Sequence, residues 1–382
     1  MKILWMSNSP SAPTGYGKQT ALFTRKIKED HELFIFSFYG REGGPVMNPD
    51  GIIELSRFRD GWGNDIVGAH YAKTGSEAII TLVDPFVHNG PEMEKLNWVC
   101  YVPIDSHPMK HMNASVLKHA KRVIAMSKFG RDMLEAEGFE NVLYMPHAYD
   151  GKKIFPMDKA KARAYMKEKF DVPEEGELII DISNNKGRPS RKNFIGLFQA
   201  FTKILDARSN VSLYIHTDPQ RPDGEDLNIF IKKMGLEGRV FFPNKYEYLN
   251  SQYDDDDLNH IFNAADCMLH MAYGEGFGVP ALEVQAVGSE GGHVAVVSCT
   301  EHFNRAIKAV DQDAREAFFV AQDPFRFNQG RKGSGNPETG GLVTGHALPA
   351  EDPRADFGKG FFFYHHFTRA TLGVGIIRVP AE

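Results

Sequence analysis

The fold class this sequence predicts is α/β, with two doubly wound, Rossmann-like domains facing a central cleft. Three observations carry it. Short apolar runs rich in β-branched and aromatic residues alternate with longer amphipathic stretches, the pattern of right-handed βαβ units on a mainly parallel sheet. The alternation stops once, between Pro146 and Pro173, and then restarts. The 382 residues suffice for two domains, each with a core of its own.

In chain order, the first half predicts strands at Ile3 to Met6, Leu33 to Phe38, Ala78 to Val83, Trp98 to Val102, Arg122 to Met126 and Val142 to Met145. A lysine-rich helix, Asp158 to Phe170, bridges to strands at Leu178 to Ile182, Val211 to His216, Val240 to Phe242, Cys267 to His270 and Val294 to Ser298. Between these strands, Phe194 to Leu205 repeats apolar residues at helical spacing and Leu258 to Ala264 reads as a second helix. The expected domains are residues 1–150 and 176–325, joined by a linker, 151–175. An atypical tail, 326–382, holds the Gly/Pro-rich tract Gln329 to Gly341 and the aromatic run Phe361 to Phe367.

Composition narrows the class. Apolar residues make up 42% and charged residues 25%, which excludes a fibre or a wholly disordered chain. The net charge of −6 speaks against a general nucleic-acid coat, while leaving room for a local basic groove. Cys100, Cys267 and Cys299 form no C-x-x-C pair, so neither a disulfide framework nor a zinc knuckle is expected. No run is long enough for a membrane span, and the N-terminus lacks the pattern of a signal peptide. A cytoplasmic protein is expected.

The sharpest chemistry lies in Tyr273-Gly274-Glu275-Gly276-Phe277-Gly278-Val279-Pro280-Ala281-Leu282-Glu283, directly after a predicted strand. Pro280 suits a first helical position and Gly288 a helix end, so a helix is predicted over 280–287. Its free amides bind anions, and Gly276 and Gly278 let the backbone approach a diphosphate. Glu283 falls on the expected first turn, where the dipole keeps it ionised to accept hydrogen bonds from vicinal hydroxyls. Glu275 points into the same cleft.

This string resembles the E-x7-E signature of retaining, nucleotide-sugar-dependent glycosyltransferases of the GT-B fold, most closely family 4, and the likeness is close over about residues 258–288. The resemblance implies that Glu283 holds the nucleotide ribose. It also implies that Glu275 and the amides of Gly276, Phe277 and Gly278 contact the donor sugar and phosphates.

A second site, Ser183 to Asn193, follows the first strand of the second half and carries Lys186, Arg188, Arg191 and Lys192, cations suited to a departing diphosphate. In the family an arginine and a lysine five positions apart do this. Lys192 matches the lysine, Gly187 stands where the arginine belongs, and its role falls to Lys186, Arg188 or Arg191. The loop Pro10 to Thr20 is neither a P-loop nor a dinucleotide fingerprint, but it resembles the family's N-terminal glycine-rich loop, making Gly15 and Gly17 donor-side candidates. Asp105 and His107, after the strand ending at Val102, are candidates to orient or deprotonate an acceptor hydroxyl. Ser127, Lys128, Phe129 and His147 are softer candidates at the cleft rim.

Asp254 to Asp257 imitates a metal-binding D-x-D, but an acidic run before a helix reads as an N-terminal cap. His365-His366 and the loop Gly330 to Gly335 read as a core contact and a flexible connection. The expected function is transfer of a glycosyl unit from a nucleotide diphosphate sugar to a hydroxyl with retention, the donor being a UDP-sugar and no cofactor or metal being required. The acceptor stays open. The N-terminal loop and the basic loop together look similar to compact bacteriophage members of the family, which puts hydroxymethylated DNA bases among the acceptor candidates. The alternatives are a noncatalytic nucleotide-sugar-binding protein and a nicotinamide oxidoreductase, the latter disfavoured by the missing third glycine.

Overall fold

The computed structural model describes residues 1–288 and, for the backbone, 295–298. The Gly/Pro-rich tract, the aromatic run with His365 and His366, and the ends of the expected second domain and tail lie outside the described residues. Among the described residues thirteen strands form two sheets. The first holds β1 (Lys2–Asn8), β2 (Glu32–Tyr39), β3 (Val46–Met47), β4 (Ile53–Ser56), β5 (Ala78–Leu82), β6 (Trp98–Val102), β7 (Arg122–Ala125) and β8 (Leu143–Tyr144) in the order β3-β4-β2-β1-β5-β6-β7-β8. All its pairings are parallel except β3 with β4. The second holds β9 (Glu177–Asp181), β10 (Val211–Ile215), β11 (Val240–Phe241), β12 (Cys267–His270) and β13 (Ala295–Ser298) in the parallel order β11-β10-β9-β12-β13.

The central strands are buried on both faces, as parallel sheets require. Leu4, Trp5 and Met6 of β1 and Leu213, Tyr214 and Ile215 of β10 are fully enclosed. The helix Phe194–Ala207 turns Leu197, Phe198 and Phe201 onto the second sheet, as its spacing predicts. The helix Lys159–Phe170 departs from the linker expectation for 151–175. Its Ala162, Met166 and Phe170 are buried with Leu178, Tyr214 and Phe262 in the second half's core. The β3–β4 hairpin was not foreseen. In the acidic run, Asp254 caps the helix Asp255–Ala264, accepting from Asp257 N at 3.1 Å, while Asp257 Oδ2 accepts from Asp254 N at 2.8 Å.

Two buried histidines in the first half set an acid limit. His88 is 5% exposed, neither ring nitrogen has a partner, and burial lowers its pKa to about 4. His147 is also 5% exposed, and burial lowers its pKa to about 3. The folded chain therefore refuses protons that the unfolded chain accepts below about pH 6.5. Stability falls as pH drops from about 6.5 to 4, by about 3 kcal/mol per histidine. Urea midpoints at pH 7, 5.5 and 4.5 check this, with His88→Gln shallower than wild type; midpoints level across that window refute it.

Candidate active site

Doubly wound sheets bind ligands outside the carboxyl ends of their strands, where the strand order reverses. In the first sheet this point lies between β1 and β5, in the second between β9 and β12. The loops leaving these strands are 9–14, 83–84, 182–193 and 271–278, and Asp84 of one half acts electrostatically on the same neighbourhood as Arg191 of the other.

Glu275 is the focus. Its Oε1 accepts from Lys192 Nζ and lies 3.1 Å from His270 Nε2, and Arg191 Nη1 stands 3.4 Å from Oε2. Burial alone would raise its carboxyl pKa, but Lys192, His270 and Arg191 outweigh it and hold the group well below the usual range. Behind His270, Nδ1 lies 3.3 Å from Asp181 Oδ1, which also accepts from Ser183 Oγ at 2.9 Å. Arg191 further donates to the Gly274 carbonyl, and its own carbonyl accepts from Tyr273 N at 2.9 Å.

The four cations of the second-half loop separate. Lys192 and Arg191 reach Glu275. Arg188 turns away, giving its Nε to the Gly224 carbonyl and Nη2 to that of Pro222 at 3.0 Å, and Lys186 is exposed, its charge acting on Asp223. Asn193, in the left-handed region at φ 54°, caps the following helix by accepting from Gly196 N at 3.1 Å. The cap fixes the direction in which Lys192 leaves the loop.

The motif helix runs Val279–Ala286, with Gly278 as its cap at φ 87°. Pro280 is thus its second residue, and Glu283 lies beyond the first turn instead of within it. Burial raises the Glu283 carboxyl pKa, and Lys18 opposes that shift. Lys18 Nζ, from the first half, sits 3.2 Å from Glu283 Oε1 and 3.0 Å from Asp255 Oδ1. Burial works against that ammonium, yet the two carboxylates hold its pKa above the ordinary lysine value.

The motif glycines serve a different neighbour from the one expected. A Cβ on Gly276 would overlap Pro103 and crowd Met126, and one on Gly274 would overlap the Asp105 carbonyl oxygen. At both positions the space a Cβ would need is taken by the first half. The Phe277 side chain is buried in the first-half cluster with Leu82, Tyr101, Ile124 and Met126, its ring centroid 5.1 Å from that of His147.

On the first-half wall, Asp105 pairs with Lys110 Nζ at 3.2 Å. His107 is exposed and joins no polar contact among the described residues. The structure adds Tyr16 and Asp84 instead. Burial first, then Asp105, raises the Asp84 pKa against the pull of Arg191 and Lys110; burial and the carboxylates of Asp84, Asp105 and Glu275 push the Tyr16 hydroxyl far up. Gly15 opens the helix Gly15–Ile27 into free space. Gly17 is needed inside the loop, since a Cβ there would overlap the Ala12 carbonyl, and its N–H is capped by Thr14 Oγ1 at 3.0 Å. Among the softer candidates, Ser127 caps the helix Lys128–Ala136, the Lys128 ammonium lies 6.0 Å from the Tyr144 ring, and His147 Nδ1 pairs with the Tyr101 hydroxyl at 2.8 Å.

The residues that sequence reasoning missed are His270, Asp181, Lys18, Asp84 and Tyr16. Their shared signal is position, at or just past the carboxyl end of a central strand or in the first turn after it. Among the described residues no group of three or more His, Cys, Asp or Glu side chains could hold a metal, and no helix is long and apolar enough to cross a membrane.

No protein-family model matches the chain. A curated relative, mannosylfructose-phosphate synthase of Agrobacterium fabrum, is 24% identical over 227 residues, 55% of this chain and 46% of that protein. The chain thus spans about half the length of the relative it matches. Among solved structures, sucrose-phosphate synthase from Thermosynechococcus elongatus superposes with a TM-score of 0.62 at 16% identity, covering 81% of this chain and 84% of that one. Anabaena HepE in complex with UDP-glucose gives 0.58 at 15% identity over 78% and 80%. The α,α-trehalose 6-phosphate synthase of Burkholderia multivorans gives 0.56 at 13% identity over 78% and 83%. The likeness establishes the fold: two Rossmann-like domains facing a cleft, in the GT-B arrangement.

Proposed function

We propose that this chain is a glycosyltransferase of family 4 type that moves a sugar from a UDP-sugar to an acceptor hydroxyl with retention, acting in the cytoplasm. One observation carries the reading: an ionised, largely enclosed glutamate held by Lys192, Arg191 and His270 in the loop after β12, with a buried glutamate eight residues on. The solved complex of HepE with UDP-glucose, on the same fold, supports the choice of donor.

The sugar–phosphate bond breaks heterolytically, so the barrier falls with whatever stabilises the departing diphosphate. Lys192 and Arg191 are placed to do that, and Arg191 takes the role left open between it, Lys186 and Arg188. Glu275 orients the sugar and Glu283 the ribose, exchanging Lys18 for hydroxyl donors. The acceptor oxygen attacks the same face as the leaving group, and its proton passes to a diphosphate oxygen. Asp105 and Asp84, with Tyr16, form the wall that orients the acceptor. Small hydroxylated metabolites and hydroxymethylated DNA are the two acceptor classes to assay.

A thermal-shift and donor-hydrolysis screen of UDP-, GDP-, ADP- and TDP-sugars tests the reading. A donor at about 100 times its Kd stabilises the native state by about 2.7 kcal/mol. The UDP-sugar is expected to raise the wild-type midpoint and leave Glu283→Ala unmoved. An equal shift in both proteins, or none with any donor, overturns it.

A further inference from the structure

His270 ends β12 in a place where a core side chain would be apolar. It is 2% exposed, so its ring has one orientation and its two nitrogens two fixed neighbours. Nδ1 lies 3.3 Å from Asp181 Oδ1 and Nε2 lies 3.1 Å from Glu275 Oε1. An ionised carboxylate only accepts hydrogen bonds, and a neutral imidazole has one N–H. A neutral ring, itself only 2% exposed, therefore turns a lone pair on one of the two carboxylates. Only the doubly protonated ring satisfies both.

We infer that His270 is a positioning residue that works as an imidazolium clamped between Asp181 and Glu275, fixing Glu275 as an anion aimed into the cleft. The inference rests on the reading of Glu275 as the donor-site glutamate. The groups that face the ring are Asp181 from β9, Glu275 from the motif loop, and Lys192 from the loop ahead of the helix Phe194–Ala207. Burial and Lys192 oppose the second proton; the two carboxylates outweigh them and raise the pKa.

The charge count gives the clamp its consequence. Asp181 and Glu275 stand against Lys192, Arg191 and His270, leaving one positive charge in excess. With a neutral ring the cluster is neutral. The imidazolium therefore leaves a net positive charge beside Lys192 and Arg191, which a diphosphate would neutralise.

The test uses the full chain labelled with ¹⁵N-histidine. Its 15 histidines are read by side-chain ¹H–¹⁵N spectra from pH 6 to 9. One ring is expected to keep both nitrogens protonated at pH 8, where an ordinary imidazole of pKa about 6.5 is neutral. That signal disappears in His270→Gln; should this variant not fold, Glu275→Gln is expected to return the same signal to the neutral pattern. Fifteen neutral rings at pH 8 overturn the inference. UDP affinity measured by calorimetry is expected to fall about tenfold in His270→Gln, equivalent to about 1.4 kcal/mol, and unchanged affinity removes the positioning role. The spectrum needs no donor. An imidazolium in a chain that binds no nucleotide sugar defeats the donor reading alone, and a neutral ring in an active enzyme defeats this inference alone.

Discussion

Lys192→Met is expected to cut sugar transfer by about 10²- to 10³-fold in kcat, the usual cost of removing one preorganised donor to a developing negative charge. The side chain is 16% exposed and its ammonium already bound to the Glu275 carboxylate, so it is held in place before a donor arrives. Methionine keeps the unbranched apolar stem and deletes only the charge. Glu275 would still have His270 and Arg191, so the carboxylate is not left buried without a partner, the situation that costs most. The discriminating measurement is kcat beside the thermal midpoint. A large loss of kcat with a midpoint within a few degrees of wild type is expected. An active Lys192→Met would move the diphosphate away from this loop and onto the helix amides.

Gly274→Ala is the second large effect. The new methyl would overlap the Asp105 carbonyl oxygen, a backbone atom that cannot rotate aside. Either the motif loop or the loop after β6 must shift, at a cost of about 1–3 kcal/mol. The shift also moves the Gly274 carbonyl that Arg191 holds, so the cation and Glu275 lose their alignment. A misplacement of about 1 Å is enough for about a 10²-fold loss in kcat. Kinetics and the thermal midpoint should therefore fall together, unlike in Lys192→Met. A Gly274→Ala enzyme with wild-type values in both would show that the two halves do not pack as described.

Most of the architecture was legible because the parallel strands are buried on both faces and read as unbroken apolar runs. The β3–β4 hairpin was not, for a physical reason. Val46 and Met47 are exposed, and β4 carries Glu54, which is buried only because Ser37 Oγ donates to it at 2.6 Å. A polar residue satisfied across a sheet looks like a loop residue along the chain. The same distinction divides the site. Glu275, Glu283 and Lys192 are marked by local spacing, whereas His270 meets Asp181 from 89 residues away and Lys18 meets Glu283 from 265. The choice among Lys186, Arg188 and Arg191 depended on where the loop around Pro222 and Gly224 comes to rest. For Gly276, the neighbour that excludes a Cβ belongs to the other half, which no local pattern along the chain marks.

Phe277 ties the chemistry to the mechanics of the molecule. Its ring, with Val279 and Leu282 beside it, is a second-half graft in the first half's apolar cluster, two residues from Glu275. Prising the halves apart must draw that ring out into water, at about 1.5–3 kcal/mol for one side chain of this size. A gap of that order leaves the parted form a minority of roughly 0.5–7%. Opening of the cleft then runs against an apolar latch in which the Phe277 ring is the largest second-half member.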